Sequence, residues 1–235
     1  ALETKYAPYG MTLQAKEGKP YFLAVNRDAN VVTVYTADED GRYTVPFMAM
    51  VCSGGVDSMT CLALAIEKHG KENVCALSIY YGQKHVKEIQ AAKAVLEYYG
   101  IEGTSLDLTP VFAYSDCSLL SHSTEDIPEE SYAEQLAQRG GKPVTTYVPF
   151  RNGLFLSAAA SVALSKNCSV IYYGAHHDDA AGNAYPDCSE EFVNAMNHSI
   201  VLGSGGDVRI EAPFVRWNKA QIVAEGLRLQ VPYQL

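Results

Sequence analysis

The stretch Phe47-Met48-Ala49-Met50-Val51-Cys52-Ser53-Gly54-Gly55-Val56-Asp57-Ser58 decides the fold of this chain. Its first half is an apolar run that predicts a buried strand over 47–52. Its second half is a glycine turn, followed by a helical pattern over 57–69. Glycines let backbone N–H groups approach a ligand, and the free N–H groups at a helix start attract an anion. The stretch therefore predicts an anion site between a strand and a helix.

The rest of the chain after residue 47 alternates between apolar strands and helical patterns. Strands that are apolar throughout and separated by helices indicate a mainly parallel sheet that is covered on both faces. The predicted fold class is therefore α/β, with a doubly wound, mainly parallel sheet. Residues 111–146 are polar and irregular, which predicts a long insertion that is a lid, a binding loop or disordered. The remaining predicted elements are strands at 74–80, 104–108, 168–174 and 209–212, and helices at 84–99, 152–166, 189–202 and 218–229.

Residues 1–46 have a different character. The segments 21–26, 31–36 and 42–45 are rich in β-branched and aromatic residues and are separated by Asx and Gly turns. This pattern predicts a small antiparallel meander. We therefore predict two parts, a short β-rich extension over 1–46 and an α/β domain over 47–235.

Composition excludes several classes of protein. The 235 residues include 18 Lys+Arg and 27 Asp+Glu, a net charge of −9, and no apolar run reaches the ~18 residues of a membrane span. Non-specific nucleic-acid or membrane binders concentrate positive charge, so we expect neither partner. Without a signal peptide or a CxxC pattern, a reducing cytoplasm is the simpler expectation. The cysteines are Cys52, Cys61, Cys75, Cys117, Cys168 and Cys188.

The glycine turn matches neither the GxxxxGK[ST] phosphate loop nor the GxGxxG dinucleotide motif. One alternative is an ordinary strand–helix turn in which Asp57 or Ser58 caps the helix. The string Ser-Gly-Gly-Val-Asp-Ser over 53–58 nevertheless resembles the pyrophosphate-binding loop of the N-type ATP pyrophosphatases. Together with four further motifs it resembles the 7-cyano-7-deazaguanine synthases of queuosine biosynthesis over about 47–235. These motifs lie at 57–63, 81–85 (Tyr-Gly-Gln-Lys-His), 147–153 (Tyr-Val-Pro-Phe-Arg-Asn-Gly) and 184–188 (Ala-Tyr-Pro-Asp-Cys).

The resemblance implies a ligase with an adenine nucleotide alpha-hydrolase-like fold. In this family ATP adenylates the carboxylate of 7-carboxy-7-deazaguanine, ammonia forms the amide, and a second adenylation dehydrates the amide to the nitrile. A loop that grips pyrophosphate supports its departure. The resemblance also implies Mg²⁺ and a homodimer. Two alternatives remain, another N-type ATP-pyrophosphatase ligase such as a tRNA thiolase or an amidotransferase synthetase, and a non-catalytic nucleotide-binding protein.

The resemblance assigns catalytic roles to Ser53, Asp57 and Arg151. Lys84 and His85 follow the second strand and could neutralise phosphate or carboxylate charge, although a solvated helix start explains them equally well. Arg151 and Asn152 open the next helix, where Arg can bind a phosphate bidentately. The predicted ATP-binding residues are Cys52, Ser53, Gly54, Gly55, Val56, Asp57, Ser58, Met59, Thr60, Cys61 and Leu62.

Two further groups of residues are candidates. His176, Asp178 and Asp179 follow the fourth strand, and offer either a Mg²⁺ site through one of the aspartates or proton transfer by a histidine. A polar loop with turn-capping aspartates is the alternative. Asp187 could accept adjacent N–H donors of a guanine-like base while Tyr185 stacks on it. Helix capping by Asp187 or Ser189 is the alternative there.

The resemblance also sets two expectations about the ends of the chain. The family's four-cysteine zinc site would begin beyond Leu235, and none of the six cysteines matches its ligands, so we expect no metal ligand here and weak or no activity. Residues 1–52 resemble the early strands of an L,D-transpeptidase without its catalytic Ser-His-Gly-Cys string. That extension is either a foreign fragment in a chimeric reading frame or a genuine hairpin that covers a sheet edge.

Overall fold

A computed structural model describes residues 21–26, 31–36, 48–51, 55–84, 87–128, 130–140 and 142–234. The chain divides into two compact units, Ala1–Pro46 and Phe47–Leu235. In the first unit, strands β1 (Tyr21–Asn26) and β2 (Val31–Thr36) pair antiparallel. This confirms the first two strands of the predicted meander, while the third, at 42–45, lies outside the described residues.

The second unit is built on a parallel five-stranded sheet, which confirms the predicted α/β fold. Its strand order is β5-β4-β3-β6-β7, and every neighbouring pair is parallel. Each strand lies within two residues of its prediction at either end, because short apolar runs between polar turns locate buried strands well. The strands are β3 (Met48–Val51), β4 (Val74–Tyr80), β5 (Glu102–Asp107), β6 (Val170–Tyr172) and β7 (Arg209–Glu211).

Helices connect these strands. The five long helices were all predicted, and four of them begin and end within a residue of the prediction. The exception is the second, which was predicted from 84 but begins at Lys87. The helices are α1 (Val56–His69), α2 (Lys87–Tyr99), α3 (Thr109–Phe112), α4 (Tyr132–Gln138), α5 (Arg151–Ser165), α6 (His177–Ala180), α7 (Glu190–Gly203) and α8 (Lys219–Arg228).

The late start of α2 has a local cause. The backbone N–H of Lys84 donates to the carbonyl of Leu119 at 2.8 Å, and Gln83 forms a β-bridge with Leu120. Lys84 therefore belongs to a connection that pairs with the insertion and cannot join the helix. Helical periodicity alone does not reveal such a long-range pairing, which is why the prediction was wrong at this end.

The core lies on both faces of the sheet. Val74 and Ala76 of β4 pack with α1, α2 and α8, whereas Cys75 and Leu77 pack with α5 and α7 on the opposite face. Side chains alternate between the faces of a strand, so an entirely apolar strand needs helices on both sides. This alternation confirms the doubly wound arrangement.

The insertion at 111–146 contains a helix that was not predicted. Ser131 caps α4 by accepting from the N–H of Glu134, and the Glu134 carboxylate accepts from the N–H of Ser131. This reciprocal capping box stabilises short helices. The Ser-x-x-Glu spacing of 131–134 is a sequence signal of a helix start, and the surrounding polarity masked it.

Within the described residues, no helix combines the length and apolar character that a membrane crossing requires.

Candidate active site

The candidate site lies where the connections reverse direction across the sheet. β3 has β4 on one side and β6 on the other. The helix that follows β3, α1, and the helix that precedes β6, α5, pack on opposite faces of the sheet. In open α/β sheets, ligands bind at the carboxyl ends of the strands beside such a point. A Cβ placed on Gly174, just after β6, would lie 3.6 Å from the amide nitrogen of Ser58 in α1. The two connections therefore meet at the first turn of α1.

Only the last part of the predicted phosphate loop, from Gly55 onward, belongs to the described residues. Cys52, Ser53 and Gly54 lie outside the described residues, so their roles stay predictions. α1 begins at Val56 after Gly55, and no side chain of the described residues caps it. The hydroxyl of Ser58 donates to the carbonyl of Gly55 at 3.0 Å. The alternative in which Asp57 or Ser58 caps the helix is therefore wrong.

The next residues of α1 are buried in the core. Met59, Thr60, Cys61 and Leu62 are all nearly inaccessible to solvent. The hydroxyl of Thr60 donates to the carbonyl of Val56 at 2.7 Å and also contacts the Tyr233 hydroxyl at 2.6 Å. Their side chains anchor α1 in the core, and their predicted contact with ATP stays a prediction.

A cluster of four charged side chains surrounds the start of α1. Asp57 accepts from the ammonium group of Lys219 with both carboxylate oxygens, at 2.7 and 2.6 Å. His176 Nε2 lies 3.6 Å from Asp57 Oδ2 and 3.3 Å from Asp179 Oδ2. We call Asp57, His176, Asp179 and Lys219 the Asp57 cluster. It brings together three predicted residues and one, Lys219, that the sequence analysis missed.

The cluster shifts the titration of its members. Burial opposes the charged form of His176, which is 3% exposed, but the neighbouring Asp57 and Asp179 carboxylates raise its pKa. Burial would raise the pKa of Asp57, but His176 and Lys219 lower it below its ordinary value. Burial raises the pKa of Asp179, and the charge of Asp57 adds to this effect. Asp57 is therefore the stable anion of the cluster.

The loop after β6 is tied to the start of α8. The backbone N–H of Lys219 donates to Asp178 Oδ2 at 2.8 Å, and the N–H of His177 donates to the carbonyl of Trp217 at 3.0 Å. Asp178 thus anchors the loop to α8, which agrees with the alternative that its aspartates serve the structure of a polar loop. The described residues contain no group of three or more acidic, His or Cys side chains that could hold a metal ion. These side chains alone do not fit a Mg²⁺ site.

Arg151 opens α5 and is held between aromatic rings. Its guanidinium carbon lies 5.1 Å from the ring centroid of Tyr81 and 5.9 Å from that of Phe155, and Nη1 donates to the Tyr81 hydroxyl at 3.1 Å. Cation–π contacts of this kind fix the orientation of an arginine. The preceding residue, Phe150, has a left-handed backbone with φ of 54°. A bulky residue rarely adopts this conformation, and such strain is typical of functional sites.

Asp187 lies beside the same helix start. Its Oδ2 accepts from the backbone N–H of Asn152 at 3.0 Å, whereas Ser189 caps α7 by accepting from Phe192. The capping alternative is thus correct for Ser189, and Asp187 serves the start of α5 instead. Burial raises the pKa of the 3% exposed Asp187, while Asn152 and Arg151 lower it. Only one of its carboxylate oxygens remains without a protein partner among the described residues.

Cys188 is a buried structural thiol, as the sequence analysis preferred. Its sulfur accepts from the Asn152 side-chain amide at 3.4 Å and lies 3.8 Å from the Tyr173 hydroxyl. Burial raises its pKa to about 12, so it stays a thiol at neutral pH. A nucleophilic role does not fit.

Tyr185 joins the insertion to the site. Its ring makes edge contacts with Tyr132 of α4 and with Tyr147, at centroid distances of 5.4 and 6.4 Å. Its hydroxyl lies 2.5 Å from that of Thr146. The insertion therefore forms a wall beside Asp187, with Tyr132 as a residue that the sequence analysis did not single out.

Lys84 does not reach this group of side chains directly. Its ammonium group donates to the backbone carbonyl of Glu125 at 2.8 Å, so it fastens the insertion to the connection after β4. His85 lies outside the described residues, and its role stays a prediction.

The described cysteines do not fit a zinc site. All five are buried and unbridged, and only Cys75 and Cys168 approach each other, at 3.8 Å between sulfurs. Structural zinc takes four ligands, typically cysteine and histidine. No group of three suitable residues occurs in the described ranges. Zinc therefore has no part in the chemistry derived below.

Comparison with known proteins identifies the family. The family profile described as "Queuosine biosynthesis protein QueC" matches residues 48–235. The chain belongs to this family. A 7-cyano-7-deazaguanine synthase of Caldicellulosiruptor saccharolyticus is 39% identical over 79% of this chain and 78% of its own length. That of Archaeoglobus fulgidus is 36% identical over 79% and 74%. Both findings confirm the resemblance that the motifs indicated.

A solved NMN synthetase from Francisella tularensis has a TM-score of 0.48 and 20% identity to the chain. It is aligned over 80% of this chain and 63% of its own length. The chain thus spans less than two thirds of that protein.

Proposed function

We propose that this chain is an ATP-dependent ligase that converts 7-carboxy-7-deazaguanine and ammonia to 7-cyano-7-deazaguanine. The observation that supports this most directly is the Asp57 cluster, which places opposite charges at the start of α1, where the family's pyrophosphate loop ends. Its membership in the QueC family supplies the identity of the reaction.

The first chemical task is to make a carboxylate reactive. We propose that Ser53, Gly54, Gly55 and Ser58 grip the β and γ phosphates of ATP, so that the substrate carboxylate attacks the α phosphorus and pyrophosphate leaves. Lys219 is placed to neutralise the leaving group. Its ammonium group already lies at the start of α1, where Asp57 holds it. Electrostatic stabilisation of this kind is a large contribution to catalysis.

The second task is to hold the substrate during two rounds of adenylation. We propose that Arg151 neutralises the negative charge of the carboxylate or the phosphates, because its guanidinium is fixed by Tyr81 and Phe155. Asp187 reads the base and Tyr185 packs against it. Mg²⁺ would enter with the phosphates of ATP, since it usually keeps several waters and few protein ligands. Asn152 and Asp178 then shape the site through the hydrogen bonds described above, and His176 and Asp179 do so through their charge contacts.

Three further expectations belong to this proposal. The family resemblance supports a homodimer, and the five unbridged cysteines of the described residues support a cytoplasmic location. The division of the chain after Pro46 and the family match that begins at residue 48 support a β-rich extension that is separate from the enzyme. We propose that residues 1–46 are a foreign fragment.

The reaction is tested by incubating the chain with ATP, ammonia and 7-carboxy-7-deazaguanine and following the products by mass spectrometry. We expect the nitrile together with AMP and pyrophosphate. Release of pyrophosphate without the nitrile would favour another N-type ligase. Binding of ATP without any turnover would favour a non-catalytic nucleotide-binding protein. Omission of ammonia is the control, and it should stop nitrile formation.

A further inference from the structure

Two buried polar atoms near the start of α5 have no hydrogen-bond partner among the described residues. They are Oδ1 of Asp187 and Nε of Arg151. Buried polar atoms in native proteins are almost always paired, because leaving one without a partner is destabilising. A bound group with complementary hydrogen-bonding atoms is therefore expected to pair with them.

Neither side chain can easily turn to satisfy itself. Oδ2 of Asp187 is held by the N–H of Asn152 at 3.0 Å. The guanidinium of Arg151 is fixed by Tyr81, through a hydrogen bond and through its ring. Rotating either group would break these contacts.

The two side chains are neighbours without being partners. Oδ2 of Asp187 accepts from the N–H of Asn152, the residue that follows Arg151, so both side chains lie at the start of α5. Even so, their side chains form no ion pair in the part of the chain that the structure describes. Fixed, opposite charges that do not meet leave a position for a ligand group between or beside them.

The hydrogen-bonding character of the two atoms defines that group. A carboxylate oxygen only accepts and an arginine Nε only donates. The lactam edge of a guanine-type ring presents a carbonyl beside a ring N–H, which is the complementary pair. We propose that Arg151 Nε donates to the lactam carbonyl of the substrate ring and that Asp187 Oδ1 accepts from its neighbouring N–H.

This inference rests on the proposed function, because the family supplies the ring. It also narrows the earlier prediction for Asp187, which expected one carboxylate to take two donors. Asp187 instead shares the task with Arg151. Both atoms are covered in the ligand-free protein, so the ring reaches them only when neighbouring side chains shift. A 6-amino ring interchanges donor and acceptor at this edge, and the site should reject it.

Calorimetric binding to the full chain tests the proposal without requiring turnover. The two probes are 7-carboxy-7-deazaguanine and its 6-amino analogue, which keeps the carboxylate and the 2-amino group. We expect the native chain to bind the lactam at least about 100-fold more tightly, since sites built around hydrogen bonds reject mismatched analogues strongly. Equal binding of the two probes, or binding of neither, would overturn the proposal.

Two variants test whether the preference for the lactam depends on Asp187 Oδ1 and Arg151 Nε. Asp187→Asn can keep the bond from Asn152 through its amide oxygen while it replaces the acceptor Oδ1 by a donor. Arg151→Lys keeps the positive charge that phosphates would use but removes Nε. We expect the preference for the lactam to fall below about 10-fold in each variant. Preference retained in both variants would overturn the assignment.

Tyr173→Phe is the matched control. It removes the hydrogen bond to the Asp187 carbonyl but neither proposed reading atom, so its preference should equal that of the native chain. The turnover assay distinguishes the proposed reaction from the proposed recognition of the ring by Arg151 and Asp187. Ring preference without nitrile formation would contradict the proposed reaction alone, whereas nitrile formation without ring preference would contradict this inference alone.

Discussion

At the residue scale, the site depends on a few side chains that are fixed by contacts distant in sequence. Asp57 and Lys219 are 162 residues apart and share two hydrogen bonds. His176 joins Asp57 to Asp179, and Arg151 is oriented by Tyr81. Each of these side chains is held in place by a neighbour. Substituting one of them should therefore change the reaction rate or the free energy of unfolding by a measurable amount.

Lys219→Gln should slow pyrophosphate release by about 100-fold, because removing one preorganised electrostatic contact typically costs that much. The measurement is initial rate at saturating ATP, with carboxy-deazaguanine and ammonia present. Lys68→Gln is the matched control, since Lys68 pairs with Glu211 at 2.7 Å at the opposite end of α1. The control should retain the native rate. An unchanged rate for Lys219→Gln would remove this lysine from the chemistry.

The free energy of unfolding of the His176→Gln variant should depend on pH differently from that of the native chain. The raised pKa of His176 means that its charged interactions stabilise the fold fully below about 6.5, and that this contribution is lost as pH rises through the folded pKa. Asp57, with its lowered pKa, stays ionised throughout this range. We expect the variant to lose on the order of 1 kcal/mol more at pH 5.5 than at pH 8.5.

Urea unfolding of both proteins at the two pH values measures this difference. Asp57, Asp179 and Lys219 are the charged groups that face His176, and all three are present in both proteins. A loss that is equal at both pH values would show that His176 contributes through packing alone.

At the element scale, short capped helices and strand ends position the site. α5 begins after a left-handed Phe150, and its first turn places Arg151 and Asn152 beside Asp187. The insertion contributes α4, whose Tyr132 ring contacts Tyr185. A polar segment that seemed irregular therefore forms one wall of the site.

Ser131→Ala should loosen α4 without unfolding the domain. Losing a serine N-cap costs about 1 kcal/mol, and here it also breaks the reciprocal bond with Glu134. Hydrogen exchange of the amides in 132–138 should accelerate several-fold, while amides of α5 keep their native protection. Ser161→Ala, on the exposed side of α5, is a comparison that should change neither segment. Unchanged exchange in α4 would contradict the role of the cap.

At the scale of the whole molecule, the strands of the parallel sheet and the described residues of its two apolar faces all lie after Pro46. Removing residues 1–46 should therefore leave the thermal midpoint of the α/β unit within a few degrees of the full chain. Thermal unfolding followed by circular dichroism, with nitrile formation assayed in parallel, measures this. A large loss of stability or of activity would instead favour a native hairpin that completes the domain.

The sequence by itself determined the fold class, most element boundaries and the family. Apolar runs, helical periodicity and the Ser-Gly-Gly-Val-Asp-Ser string depend on neighbouring residues, so they are readable without a structure. Lys219 was missed because its only sequence signal is a position at a helix start, and its partner Asp57 lies far away in the chain. The delayed start of α2 and the docking of Tyr132 on Tyr185 were missed for the same reason.

Only the tertiary structure decided which candidate side chains meet and which atoms they leave unpaired. It bound one oxygen of Asp187 to Asn152 and left the other without a protein partner in the described residues. It also committed Lys84 to the insertion and Asp178 to the start of α8. Hydrogen-bond partners depend on distances of a few ångströms between elements, and these distances are set by how the helices pack on the sheet, which local patterns do not encode.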